Sequence, residues 1–328
     1  MIKAGQMAGK SARSEKERKK RRFKRVLRAA VSLVFIVLAV LAIRLHWFDN
    51  VFSSCVDGEL DPIPLPKEGC LSIYVLDVGQ GDCSLLVSPN GRTMLIDAGD
   101  AAYSPKIIST LEGLGVYSLD VAVGTHPHFD HIGGMPAVLN AMPVGEYWMP
   151  EVPFEAYTQS FTDRALEENG VKTNIAWNGK TIDWDKDCVV TVLSPARGVE
   201  YSDVDANDYS IILRVEYGEN AMLFTGDATV HAEQLAMYQN EKSLFDADVL
   251  KVAHHGSTTG SSYGFLEAVS AKTAVISVGR NNDYGHPDFD ILNRLRATGS
   301  DIFRTDKNGT VSVFMDGRNV SVEVQKHK

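Results

Sequence analysis

One stretch, THPHFDHIGG at residues 125–134, constrains this chain more tightly than any other. Within six positions it holds three of the nine histidines and one aspartate, namely His126, His128, Asp130 and His131. The apolar run LDVAVGT (119–125) before it is typical of a buried strand, and IGGMPAVLNAM (132–142) after it predicts a helix. Imidazole and carboxylate donors this dense between a strand and a helix indicate a metal site.

The four donors suit two metal ions better than one. They would crowd a single tetrahedral ion, whereas two neighbouring ions can share them. His126 and His128 lie two positions apart at the end of the predicted strand, so both can face one side and bind the first ion. Asp130 and His131 follow where the chain turns towards the helix, and we assign them to the second ion.

Two later strand ends offer the remaining donors of a two-metal site. In FTGDA, Asp227 follows an apolar run, where its carboxylate can bridge both ions. In VAHHGS, His254 and His255 occupy the same kind of position. Because side chains alternate along a strand, these two histidines are expected to point in opposite directions, and only one of them is expected to bind metal.

The rest of the pattern predicts a mixed α/β domain. Apolar runs and turn residues predict strands at 71–78, 83–88 and 93–99, a helix at 106–115, two strands within 210–228, a helix near 229–240, strands at 247–257 and 273–279, and a closing hairpin within 304–324. The polar residues of interest all follow strands, at the rim where such folds place their sites.

Charge divides the chain into two unlike parts. Residues 1–28 hold 12 of the 33 Lys and Arg but only two of the 42 Asp and Glu. The remainder therefore carries a formal charge of about −19, although the whole chain carries −9.

An apolar run at 29–43 follows the basic segment, and residues 26–48 are long enough to span a bilayer. Positive charge before the span predicts a cytoplasmic amino terminus and an extracytoplasmic remainder, with a cleaved signal peptide as the alternative.

These features predict four segments. They are a basic cytoplasmic tail at 1–25, a transmembrane anchor at 26–48, a linker at 49–69 and a folded domain at 70–328. Cys55 and Cys70 flank the Pro-rich DPIPLP and are placed to form a disulfide. Cys83 and Cys188 lie in apolar runs and are expected to be buried thiols.

Eight motifs, in order, resemble the extracellular hydrolase domain of ComEC-type DNA-uptake competence proteins, a branch of the metallo-β-lactamase-fold hydrolases. The motifs are LDVGQGDCSLLV, LIDAGD, THPHFDHIGG, NDYSIILRV, LFTGDA, DVLKVAHHGS, AVISVG and YGHP. HxHxDH with a downstream Asp and His is the metal signature of the wider family. The resemblance covers about residues 71–325. It implies an αββα sandwich, two sheets between helices, with the metals at one edge.

The resemblance also implies a role for each matching position. The implied metal ligands are His126 and His128 on the first ion, Asp130 and His131 on the second, Asp227 bridging, and His255 completing the second. The supporting positions are Asp97, behind the metal loop, Asp82 and His254, near the substrate, and Ser257 and His286 as further candidates. Two divalent ions, Zn²⁺ or Mn²⁺, would hold a bridging hydroxide, which Asp130 or Asp227 would orient while His254 acts on the phosphoryl group.

One first-ion ligand of many family members has no counterpart here. No histidine occurs between His131 and Asp227, where those members carry one. An oxygen donor within Asn207–Ser210, or a water, is expected in its place. Such a donor would weaken the first site and favour harder ions such as Mn²⁺.

The implied reaction is phosphodiester hydrolysis, and more narrowly nuclease action on DNA outside the cell. The acidic composition opposes this, because DNA binding draws its affinity from Lys and Arg. Candidates for a local basic patch are Lys251, Arg280, Arg304 and Lys307. The same metal chemistry serves acyl bonds in a lactone, thioester or β-lactam. The missing histidine also leaves open a non-catalytic metal-binding module.

Overall fold

A computed structural model describes residues 61–199, 201 and 205–325 of this protein. The predicted tail (1–25) and anchor (26–48) lie outside these residues. Among the residues that are described, no helix has the length and apolar character needed to cross a membrane.

The described residues form two β-sheets. In chain order the strands are β1 (Leu71–Val75), β2 (Ser84–Val87), β3 (Thr93–Ile96), β4 (Leu119–Val123), β5 (Val144–Pro150), β6 (Lys172–Ala176), β7 (Thr181–Asp185), β8 (Cys188–Ser194), β9 (Ile212–Tyr217), β10 (Asn220–Phe224), β11 (Val249–Lys251), β12 (Thr273–Ile276), β13 (Asp301–Arg304), β14 (Val311–Met315) and β15 (Val320–Val324). The first sheet has the order β15-β14-β1-β2-β3-β4-β5-β6, and the second has the order β13-β12-β11-β10-β9-β8-β7.

Helices cover the outer face of each sheet. The α-helices are α1 (Ser104–Gly113), α2 (Phe129–Ile132), α3 (Met135–Ala141), α4 (Tyr157–Glu168), α5 (Val230–Gln239), α6 (Tyr263–Val269), α7 (Phe289–Ala297) and α8 (Thr305–Asn308). Short 3₁₀ helices span Ala101–Tyr103, Ala206–Tyr209, Lys242–Leu244 and Ala253–Gly256. Helices α1, α3 and α4 pack on the first sheet, and α5, α6 and α7 pack on the second.

Three apolar cores separate the layers. Alternation along β10 shows how one strand serves two of them, because Met222 and Phe224 face the core between the sheets while Ala221 and Leu223 face the helices. Both faces of such a strand are buried, which explains why the sequence shows continuous apolar runs. The layer order is helix, sheet, sheet, helix, so the predicted αββα architecture is confirmed.

The predicted elements have counterparts in the structure, but several bounds differ and some observed elements, among them α6, α7 and β13, received no prediction. The strand predicted at 247–257 ends at Lys251, and the closing hairpin begins only at Val311. Residues 143–209 received no prediction, although they hold β5–β8 and α4. Strands β6 and β7 there are partly exposed and lack a continuous apolar run.

Residues 61–69, the described part of the predicted linker, lie against the first sheet. Ile63 packs against the outer core of that sheet. Lys67 Nζ lies 2.5 Å from Glu323 Oε1 and 3.8 Å from the ring centre of Phe314. The side chain of Gln325 donates a hydrogen bond to the carbonyl oxygen of Asp61. The packed part of the chain therefore begins before Cys70.

The described cysteines are Cys70, Cys83 and Cys188. Cys83 and Cys188 are buried thiols, as predicted, and Cys70 is half-buried. Cys55 lies outside the described residues, so its pairing with Cys70 stays a prediction.

Candidate metal centre

The candidate centre lies at one edge of the sandwich, where strands of both sheets end. Strands β3 and β4 run parallel in the first sheet, and β10 and β11 run parallel in the second. Asp97 and His126 follow the first pair, whereas Asp227 and His255 follow the second. Because parallel neighbours end at the same edge of a sheet, each pair brings its polar residues together.

Two glycines allow the loops of the centre to approach each other. A Cβ on Gly81, in GQGD, would lie 2.3 Å from the carbonyl oxygen of Asp130. Gly226, in FTGDA, has a φ of +50°, and a Cβ there would lie 2.9 Å from Thr125 Oγ1. Only glycine has no Cβ to meet these contacts and readily adopts a left-handed φ. These motifs therefore serve backbone packing as well as chemistry.

The first donor group comprises His126, His128 and Asp227. One ligand atom from each lies within 4.8 Å of the others. His126 Nε2 is 3.0 Å from His128 Nδ1 and 3.9 Å from Asp227 Oδ2. His128 is half-buried, and the other two side chains are buried. Three donors around one point fit a metal ion that keeps a position for a further ligand.

The second donor group comprises Asp130, His131, Asp227 and His255, again with ligand atoms within 4.8 Å of one another. His255 Nε2 is 3.1 Å from Asp130 Oδ2, and His131 Nε2 is 3.1 Å from Asp227 Oδ1. All but Asp130 are buried. Two imidazoles and two carboxylates supply the four donors of a tetrahedral ion.

Asp227 belongs to both groups. Its Oδ1 lies 3.1 Å from His131 Nε2, and its Oδ2 lies between the groups, 3.7 Å from His255 Nε2 and 3.9 Å from His126 Nε2. Asp227 Oδ1 and His131 Nε2 are buried, and neither meets a partner in hydrogen-bond geometry among the described residues. Buried polar atoms without a partner are costly, so this pair is suited to a cation that contacts both atoms. The residues present therefore fit two metal ions that share one carboxylate.

Hydrogen bonds behind the ligands fix which ring nitrogen faces the centre. His131 Nδ1 is 2.8 Å from Asp97 Oδ2, and Thr125 donates to the same carboxylate from both its backbone N and its Oγ1. His255 Nδ1 is 2.9 Å from the carbonyl oxygen of Ser277. With Nδ1 donating in each ring, Nε2 remains to bind metal. Asp97 thus lies behind the metal loop.

Neighbouring charges strongly shift the pKa values of the side chains in the second group. Burial would raise the pKa of Asp227, but His131 and His255 hold that pKa well below its usual value. Burial would lower the pKa of His255, but Asp227 and Asp130 raise it to about 10. In the first group, by contrast, burial lowers the pKa of His126 well below its usual value. The second group therefore attracts protons or cations, whereas His126 is neutral.

The histidine pair after β11 does not continue the strand. Ala253–Gly256 form a 3₁₀ turn in which His254 and His255 have left-handed φ values of 49° and 53°. The prediction of strand alternation is wrong here, because a turn rather than the pleat separates the two rings. His255 joins the second group. His254 Nε2 lies 3.6 Å from Asp227 Oδ2, and its Nδ1 lies 2.7 Å from Thr259 Oγ1.

The segment expected to replace the missing histidine lies beside the centre. It forms the 3₁₀ helix Ala206–Tyr209, and the following Ser210 Oγ accepts a hydrogen bond from Asp227 N at 3.2 Å. Asn207 is buried, and its Oδ1 has no hydrogen-bond partner among the described residues. This buried oxygen makes Asn207 the candidate in this segment for a further donor to the first group.

Two neighbouring cavities meet at His128. A cavity of about 310 Å³ is lined by Gln80, His128, Phe129, Asp130, Asp227, His254, His255, Tyr284 and His286. A second, of about 400 Å³, is lined by Pro127, His128, Phe154, Ala156, Tyr157, Thr158, Asp205 and Ala206. Ser257 lines neither. Sequence reasoning missed these aromatic rings, although the position of Phe129 inside the histidine motif was a signal for one of them.

Two of the four residues of the predicted basic patch, Lys251 and Arg304, form ion pairs with aspartates. Lys251 is buried, with Nζ 2.5 Å from Asp82 Oδ2. Arg304 pairs with a neighbouring aspartate at 2.6 Å. Arg280 and Lys307 are exposed. Lys251 thus belongs to the interior behind the centre, and its assignment to a DNA-binding surface is wrong.

The four-layer fold with two donor groups at one edge defines a class of metal-binding proteins. The family model described as Metallo-beta-lactamase superfamily matches residues 76–280. This chain belongs to the metallo-β-lactamase superfamily, whose members are generally metal-dependent hydrolases.

Curated relatives confirm the predicted resemblance to competence proteins. The chain is 34% identical over 241 residues to Competence protein ComA of Neisseria gonorrhoeae, covering 73% of this chain and 32% of the relative. It is 31% identical over 264 residues to ComE operon protein 3 of Bacillus subtilis (strain 168), covering 74% and 33%. It thus spans about a third of the length of these relatives.

One solved structure shows a likeness of fold alone. CmlA, a diiron β-hydroxylase from Streptomyces venezuelae, matches with a TM-score of 0.51 at 14% identity, over 77% of this chain and 55% of that one.

Proposed function

We propose that this chain is a dinuclear metal-dependent phosphodiesterase. The observation that carries the proposal is the position of Asp227, whose one carboxylate belongs to both donor groups, within reach of His131 and His255 on one side and His126 on the other. A carboxylate shared in this way would allow both donor groups to hold a cation. A pair of cations suits a phosphodiester, because it can hold both the attacking and the leaving oxygen.

The ions, Zn²⁺ or Mn²⁺, would supply an activated water at neutral pH and polarise the substrate. Asp130 and Asp227 both line the first cavity, where a carboxylate can orient the attacking water. Burial would raise the pKa of Asp130, but the hydrogen bond with His255 holds it at about 2. Asp130 therefore stays a carboxylate at neutral pH.

His254 is the proposed group that acts on the substrate from the cavity side. Its side chain is 23% exposed, and the contact with Thr259 Oγ1 fixes its ring. His286 lines the same cavity, with its ring centre 5.8 Å from that of His254. From this position His254 can contact a phosphoryl oxygen or protonate the leaving oxygen.

The finer proposal is that the substrate is DNA or a fragment of it. The motif resemblance and the competence relatives support a polynucleotide. Exposed rings near the centre support it independently, since Phe129 is 50%, Tyr284 70% and Tyr157 80% exposed. Aromatic rings bind bases by stacking and do not need a basic surface. Neither cavity is lined by a described Lys or Arg, so metal ions and stacking would supply the affinity for the substrate.

The first experiment is hydrolysis of bis-p-nitrophenyl phosphate by the full chain loaded with Mn²⁺ or Zn²⁺. We expect metal-dependent turnover that Asp227→Ala abolishes. The matched control is Asp301→Asn, because Asp301 is exposed at the opposite, amino end of a parallel strand. Single-stranded and double-stranded DNA follow as substrates.

The assay also separates the other functions. No turnover of the diester with either ion, together with turnover of a lactone, thioester or β-lactam, would replace the phosphodiesterase with an acyl hydrolase. Two bound ions with no turnover of any substrate would leave a metal-binding module.

The proposal includes a location, which the sequence supports. The 12 basic residues before the apolar run 29–43 favour an anchor at 26–48 with the hydrolase domain outside the cytoplasm. Protease added to intact cells should then digest the domain, while a cytoplasmic control protein stays intact. Protection of the domain in intact cells, with digestion after lysis, would refute this location.

A further inference from the structure

Lys251 is a buried cation behind the second donor group. It is the last residue of β11, only 2% exposed, and four positions before His255. Its Nζ lies 2.5 Å from Asp82 Oδ2 and donates to the carbonyl oxygen of Val252 at 3.0 Å. A buried lysine is costly unless it is paired, so its presence here requires a reason.

The partner of Lys251 has the geometry of a metal ligand. Asp82 Oδ1 lies 3.4 Å from His255 Nδ1, and Asp82 Oδ2 lies 4.0 Å from His131 Nδ1. Asp82, Asp97 and His131 form a third group whose ligand atoms lie within 4.8 Å of one another, and all three are buried. Backbone bonds hold Asp82 in place, since its N donates to Asp130 O at 3.0 Å. A third cation position thus adjoins the second donor group.

Charge balance explains what the ammonium does there. The cluster contains four aspartates, namely Asp82, Asp97, Asp130 and Asp227, and all but Asp130 are buried. Two divalent ions supply four positive charges, and Lys251 adds a fifth. Asp82 is 4% exposed and its Oδ2 contacts Lys251 Nζ, so the ammonium is the cation that balances this buried carboxylate.

We propose that Lys251 is a built-in third cation, which occupies Asp82 and so excludes a metal ion from the Asp82, Asp97 and His131 group. This keeps Asp97 free to orient His131 and limits the centre to two ions. The proposal rests on the metal binding in the proposed function, not on the phosphodiesterase reaction.

The test is the number of Zn²⁺ ions bound per full chain at equilibrium with excess free Zn²⁺. Lys251→Met removes the charge, and Lys251→Gln removes the charge while keeping a hydrogen-bond donor for Asp82. We expect two ions in the wild type and three in these variants. Adding Asp82→Asn to either variant should return the number to two. The matched control is Lys272→Met, an exposed lysine that should leave two ions.

Each result has a distinct meaning. Fewer than two ions in the wild type would refute the dinuclear centre itself. Two ions in the wild type and also in both Lys251 variants would overturn the role of Lys251 and leave the centre standing. If the variants unfold without metal, the proposal requires that Zn²⁺ restores the folded state with three ions. Failure of Zn²⁺ to do so would show that Lys251 only packs the interior.

Discussion

The two donor groups share Asp227 but differ in donor number, burial and support. The second group has four donors, and its histidines are held from behind by Asp97 and the Ser277 carbonyl. The first group has three donors, and one of them, His128, lines both cavities. Sites closed by protein ligands hold metal, whereas open sites leave a position for water or substrate. We therefore expect a tightly bound second ion and a weaker, exchangeable first ion.

Removal of the shared carboxylate should weaken metal binding at both groups, so that their affinities no longer differ. Asp227→Asn removes one donor from both ions and leaves His131 and His255 without their buried partner. Loss of one member of a buried charge pair costs about 3–5 kcal/mol, or roughly 10²–10⁴-fold in affinity. We expect both ions to be lost together in a metal-binding titration, with Asp301→Asn as the unaffected control. Loss of only one ion would refute the shared position.

The pH dependence of metal affinity should also differ between the two groups, because protons and metal ions compete for the same ligand atoms. Metal must displace a proton from His255, whose pKa is about 10, and from His131, whose pKa Asp227 and Asp97 raise well above the usual value despite burial. Affinity at the second group should therefore rise with pH, by up to about 100-fold per unit for two protons. The neutral His126 predicts a much shallower slope at the first group. Titrations of each ion between pH 7 and 9 measure both slopes, and equal slopes would contradict the assignment.

The same pKa shift predicts how the metal-free protein responds to pH. The pKa of His255 is higher in the folded protein than its usual 6.5, so its contribution to stability is complete below pH 6.5 and disappears as pH rises towards 10. Thermal unfolding in EDTA should therefore show a falling Tm over this range, and His255→Gln should flatten the fall. A Tm that rises over the same range would contradict the charged His255.

Weakening the hydrogen bond from His131 to Asp97, behind the second group, should have a smaller effect, and only on the affinity for the second ion. Asp97→Asn keeps the shape of the side chain but weakens its hold on His131 Nδ1. Loss of such a partner typically costs 10–100-fold in metal affinity. We expect this loss for the second ion alone, measured by competition with a chelator. An equal loss for both ions would show that Asp97 supports the loop as a whole.

The smallest expected effect concerns the open position of the first group. If Asn207 Oδ1 contributes a donor, Asn207→Ala should weaken the first ion by up to about tenfold, the free energy of one modest polar contact. The second ion should be unchanged. Asn140→Ala, at an exposed position, is the matched control. If the affinity for the first ion is unchanged in Asn207→Ala, water rather than Asn207 fills that position.

The sequence predicts the parts of this centre that depend on local pattern. Apolar runs predict β4 and β10, and the donors that follow them do lie at the edge of the sandwich. The pattern fails where the backbone departs from the strand, as at His254 and His255, whose left-handed φ values no periodicity reveals. It also fails for Lys251, because only the folded chain brings Asp82 within 2.5 Å of a residue 169 positions away in sequence.

Each donor group draws ligands from both sheets. The loop after β4 carries His126, His128, Asp130 and His131, whereas Asp227 and His255 follow strands of the second sheet. When bound, each ion would cross-link the two sheets, as a disulfide links two segments. Removal of the metal ions would loosen this edge of the sandwich, and the two sheets would stay joined by the core between them. Metal supply would then set resistance to proteases as well as catalysis.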